Sequence, residues 1–69
     1  MNNQKDLSEQ ETRIILLIKG GLINEEVASV LEKSPGTVKY HLKNIYRKLG
    51  AGNRVEAINK FNDTIKTKR

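Results

Sequence analysis

The chain has 69 residues, one histidine, no cysteine and a formal net charge of +5. That length allows one small domain, whose marginal core must rely on close helix packing or on self-association. Lack of cysteine excludes disulfides and thiolate metal sites, and no apolar run approaches the ~20 residues that a bilayer demands.

Taken in order, residues 1–6 read as a flexible polar arm, and the opening MNNQKDLSEQ has acids and amides where a signal peptide has an apolar run. The first helix starts at Ser8, whose spacing to Glu11 is that of a capping box. Ile14, Ile15, Leu17 and Ile18 give it a broad apolar face. Gly20-Gly21 ends it, with Leu22 placed to fold back over the last turn. Asn24 is the expected cap of a short second helix, with Glu25 and Glu26 in the first turn, where the helix dipole favours acids. Its apolar positions are Val27, Ala28, Val30 and Leu31, and it ends near Glu32.

The third helix, 34–49, has both ends written in. Ser34 caps it, Pro35 suits its first position, and Gly50 suits its stop. Val38, Leu42, Ile45 and Leu49 form one narrow stripe, while Lys39, Tyr40, Lys43, Asn44 and Arg47 fall on the other side. After Gly50-Ala51-Gly52 a fourth helix is capped by Asn53, with Glu56 three residues on and Ala57, Ile58, Phe61 and Ile65 at helical spacing. Residues 66–69 read as a basic tail. With no strand pattern or repeat, the expected fold is all-α: four helices in a single domain over 7–65.

A short helix, a tight turn and a longer helix with a basic outer face make a helix-turn-helix pattern. Ala28 suits a close crossing of the two helices, and Val38 suits the position that anchors the second to the first. Exposed Lys and Arg alone would also suit an ordinary solvated helix, but the charge is unevenly spread. Residues 1–38 hold four bases and six acids, a balance of −2, and residues 39–69 hold nine and two, a balance of +7. Such asymmetry points to a polyanion on one side of the molecule. Lys and Arg reach guanine acceptors or phosphates, and Asn can pair with adenine, so the third helix suits the DNA major groove. Catalysis has no support: the lone His41 builds neither a metal site nor a base–nucleophile pair, and no metal or cofactor is implied. Gly20-Gly21 follows a helix rather than a strand and lacks the GxxxxGK[ST] of a phosphate loop.

From Leu7 to about Ile58 the chain resembles the LuxR/NarL-type DNA-binding domain, also called the GerE type. The matching residues include Leu7-Ser8, Glu11, Gly21-Leu22, Glu26-Val27-Ala28 and Ser34. The densest block is Thr37-Val38-Lys39 with His41, Asn44-Ile45, Arg47-Lys48-Leu49-Gly50, Asn53-Arg54 and Ala57. The resemblance implies a cytoplasmic, bacterial transcription regulator that binds double-stranded DNA as a homodimer, and contacts RNA polymerase if it activates. By position, Lys39, Tyr40 and Lys43 correspond to base-reading residues. Thr37, Asn44 and Arg47 correspond to phosphate or flanking contacts, Lys48 to the shoulder of the helix, and Arg54 to a contact at the start of the fourth helix. The family's dimer contact corresponds to Val55, Ile58, Asn59 and Asn62. Ile23 departs from a usual Ser or Thr cap, and Glu25 from a common Lys. Those departures keep a second reading open, a protein-interaction module with the same fold that modulates another regulator.

Overall fold

The structure, a computed structural model, describes residues 7–66; the expected arm 1–6 and residues 67–69 of the expected tail lie outside it. Four helices follow one another: α1 (Glu9–Lys19), α2 (Asn24–Leu31), α3 (Pro35–Leu49) and α4 (Arg54–Lys66), so the first residue of the expected tail, Lys66, belongs to the last helix. The all-α expectation holds.

The apolar stripes meet in one core. Ile14, Ile15 and Ile18 of α1, Val27 and Ala28 of α2, Val38, Leu42 and Ile45 of α3, and Ala57 and Phe61 of α4 are all buried. Helix α3 packs against each of the other three, which is what its stripe of Val38, Leu42 and Ile45 allows. Burying each isoleucine contributes about 1.5–3 kcal/mol relative to leaving it in water. Leu17 and Leu49 lie half-buried at the rim. Ile58 is half-buried as well, and the expected packing role of Ile65 falls outside the described side chains.

The caps mostly follow the sequence. Ser8 Oγ accepts from the Glu11 N–H at 3.1 Å while Glu11 Oε1 accepts from the Ser8 N–H at 2.9 Å, a complete capping box. Ser34 Oγ accepts from the Thr37 N–H at 3.2 Å. Asn53 Oδ1 accepts from the Glu56 N–H at 2.9 Å. The second helix differs from expectation: Ile23, not Asn24, is its N-cap, and Asn24 is already helical. An isoleucine has no side-chain acceptor, so only one half of a capping box forms, with Glu26 Oε1 accepting from the Ile23 N–H at 2.9 Å. Glu26 three residues downstream thus satisfies the Ile23 N–H, a different donor from the first-turn N–H that an Asn24 cap was expected to engage.

Val30 is a second correction. It is 57% exposed, because Val27, Ala28 and Leu31 already fill the inward arc of α2 and position 30 is turned away from it.

Candidate nucleic-acid interface

Because Val38, Leu42 and Ile45 turn inward, the helical period turns Tyr40, Lys43 and Arg47 outward. Tyr40 is 63% exposed, and Lys39, Lys43 and Arg47 are exposed too. Among the described residues no carboxylate lies within ion-pair range of these three cations, and α3 itself carries no acid. Half-buried Tyr46 flanks this face and packs against the core, with His41 on the opposite flank, its ring edge-on to Tyr40 at 5.8 Å.

The tertiary structure extends this surface beyond α3. A shallow groove runs along the helix, lined by Lys39, Tyr40 and Lys43 together with Asn24 of α2 and Arg54 of α4. An adjoining pocket shares Asn24, Gly36, Lys39 and Arg54 with it and is lined as well by Ile23 and Glu25. Arg54 is held there by its Nη2, which donates to the Leu22 carbonyl at 2.6 Å and ties the start of α4 to the α1–α2 connection. A guanidinium has five N–H donors, so Arg54 keeps others for a ligand. Asn24 was expected only as a cap, and its place in the groove depends on the approach of α2 to α3, which no local spacing reveals.

The remaining predicted contacts divide. Thr37 is half-buried, its Oγ1 3.0 Å from Ser34 Oγ at the start of α3. Arg47 Nη2 donates to Asn44 Oδ1 at 2.6 Å, which joins two of the expected contacts to each other. Lys48 sits on the flank towards α1, where its Nζ lies 2.8 Å from Glu11 Oε1. Glu11 is only 6% exposed, the one buried charged residue among those described. Burial alone raises the Glu11 carboxyl. The hydrogen bonds from Lys48 and from the Ser8 N–H, with the charge of Lys48, outweigh burial and hold it below its ordinary value. Lys48 thus binds α3 to α1 as well as adding positive charge.

The expected dimer residues share the outer side of α4. Val55 is 66% exposed and Asn59 is exposed, while Ile58 and Asn62 are half-buried. Among the described residues no cluster of His, Cys, Asp or Glu could hold a metal ion, and no helix is long and apolar enough to cross a membrane.

Comparison with known proteins matches residues 5–61 to the family described as bacterial regulatory proteins, luxR family. The HTH-type transcriptional regulator MalT of Vibrio campbellii is 40% identical over 52 residues, 75% of this chain and 6% of that protein. MalT of Vibrio parahaemolyticus gives the same figures. MalT of Yersinia pestis is 36% identical over 52 residues, again 75% of this chain and 6% of the relative. The chain therefore spans about 6% of the length of these curated relatives.

Proposed function

Since the chain belongs to the luxR family of bacterial regulatory proteins, we propose that it is a sequence-specific DNA-binding transcriptional regulator whose third helix enters the major groove. The observation that carries this is the outward row of Lys39, Lys43 and Arg47, cations with no carboxylate in ion-pair range among the described residues. A protein that left these charges together for no ligand would gain nothing from their mutual repulsion, whereas a polyanion compensates all of them at once. The relatives are themselves HTH-type transcriptional regulators, which supports the same reading.

In this reading Lys39, Tyr40 and Lys43 reach base edges, since the N-terminal part of a recognition helix lies deepest in the groove. Thr37, Arg47 and Arg54 meet the phosphates on either side, with Asn44 beside Arg47, and Lys48 contributes to the field while it pairs with Glu11. Two chains join through Val55, Ile58, Asn59 and Asn62, so that two half-sites are read together. A DNA-bound regulator works in the bacterial cytoplasm, and the exposed acids Glu26 and Glu32 are the part offered to RNA polymerase if the protein activates. The competing reading, an interaction module that no longer binds DNA productively, draws its support from Glu25, an acid at the edge of the groove.

The test is Lys43→Ala, measured on a duplex enriched by the wild type from a random library and on a scrambled duplex, over a salt series. A base-reading lysine carries about 1–3 kcal/mol of discrimination, so the enriched duplex should lose about 5- to 150-fold and the scrambled one far less. A wild type that enriches no sequence and binds no duplex at low salt would leave the interaction module as the better account.

A further inference from the structure

The hydrogen bond between Arg47 and Asn44 decides what these two side chains can offer a ligand. Asparagine reads adenine with both ends of its amide at once: Oδ1 accepts from the adenine amino group and Nδ2 donates to the ring nitrogen. Here Arg47 Nη2 donates to Oδ1 at 2.6 Å, so the guanidinium competes with an adenine amino group for that oxygen. What remains on Asn44 is the two-donor Nδ2 and the second lone pair of Oδ1. Arg47 presents only donors, its remaining N–H groups. The pair therefore shows its surroundings mainly protons, and phosphate oxygens accept without donating.

Position supports the same assignment. Arg47 lies in the last turn of α3, beyond Lys43, whereas base edges are reached from the first part of such a helix. Asn44 stands one turn back and to the side of the Tyr40, Lys43 and Arg47 row, so it draws the guanidinium off that row and towards the flank of the helix. A bidentate fork held in one orientation loses less side-chain freedom when it meets a phosphate.

We propose that Asn44 is a positioning residue: it holds the Arg47 guanidinium as a phosphate clamp and does not read adenine. The proposal rests on the DNA-binding reading above, and the experiment separates the two. Wild type, Asn44→Ala, Arg47→Ala and the double variant are titrated against the wild-type-enriched duplex, each single-base substitution of it, and a scrambled duplex, over a salt series. Helicity and melting are followed alongside, and alanine suits a helix interior at both positions.

The expected result has three parts. Arg47→Ala weakens all duplexes by one common factor and lowers the salt slope by about one unit. Asn44→Ala weakens all duplexes by a smaller common factor, with its preference at every base pair retained. In the Arg47→Ala background, Asn44→Ala has no further effect. The proposal is overturned if Asn44→Ala relaxes the preference at one base pair by about 5- to 150-fold, the signature of lost base reading. It is overturned equally if the two losses multiply independently, or if Asn44→Ala changes nothing while Arg47 is present. Each of these leaves DNA binding standing. A wild type that binds no duplex removes the underlying reading, and this inference with it.

Discussion

Glu11 and Lys48 carry a structural load that neither residue reveals alone. Glu11 accepts from the Ser8 N–H and from Lys48 Nζ, so one carboxylate caps α1 and joins it to α3. Its folded-state affinity for protons is lowered, so its contribution is complete above the ordinary carboxyl value of 4.5 and is lost as the pH falls through the folded value. Glu11→Gln keeps an acceptor for Ser8 and removes the ion pair. At pH 7 it should cost about 1–2 kcal/mol, a reduction of several degrees in Tm for so small a domain. Towards pH 3 the difference from wild type should shrink, because the wild type then loses the same charge. Melting curves across pH 3–7 check this, and a gap that stays constant would show that the ion pair contributes nothing. Glu25 acts in the opposite sense. It is exposed at the edge of the groove that Lys39 and Arg54 line, so it opposes a phosphate there. Glu25→Lys should tighten binding to a scrambled duplex several-fold at about 0.1 M salt and steepen the salt slope by about one unit, as filter binding can measure. A looser complex would mean that α2 stands away from the DNA.

Helices α1, α2 and α3 end by one hydrogen-bond scheme. The N–H of Leu22 donates to the Leu17 carbonyl and that of Gly21 to Ile18. Lys33 and Glu32 repeat the pattern onto Ala28 and Ser29, and Ala51 and Gly50 onto Tyr46 and Arg47. This is the Schellman arrangement, which needs a left-handed residue just after the helix. Gly21 at φ 103° and Gly50 at φ 70° take that conformation without a Cβ penalty. Glu32 takes it at φ 58°, the one non-glycine residue among those described with positive φ. The strain sits in the turn that sets the angle between α2 and α3. Glu32→Gly should relieve it and raise stability by about 0.5–1 kcal/mol, read from denaturant midpoints at unchanged slope. A drop in stability would mean that the Glu32 side chain compensates the strain through a contact of its own.

At the scale of the whole molecule, α3 packs against every other helix. The proposed dimer would add α4 to α4, and the exposures say where to probe it. Ile58 is half-buried in its own chain, so changing it disturbs folding as well as association. Val55, 66% exposed, is the cleaner test. Val55→Asp should leave the melting of a dilute sample near that of wild type. It should also weaken self-association at least tenfold in sedimentation equilibrium, and lower affinity for a two-half-site duplex while sparing a single half-site. Equal sedimentation of both proteins as monomers at about 100 μM would remove the α4 dimer.

What the sequence determined by itself was local in origin. Helical spacing marked Ile14, Ile15, Ile18, Val38, Leu42, Ile45 and Ala57 as core, and short-range cap chemistry marked Ser8, Ser34, Asn53 and Gly50, because a cap is a contact between residues three or four apart. The family resemblance was legible for the same reason, as the densest block of its matching residues lies largely on one helix. Where two local solutions competed, spacing alone chose wrongly: Asn24 was a plausible cap until Glu26 satisfied Ile23 instead, and Val30 belonged to an apolar run whose inward arc was already full. Only the tertiary structure decided the pairing of Glu11 with Lys48, the Arg54 hold on Leu22, and the entry of Asn24 and Glu25 into the groove. Those partners lie on different helices, and a long-range contact is set by how the helices cross, which no periodicity within one helix encodes.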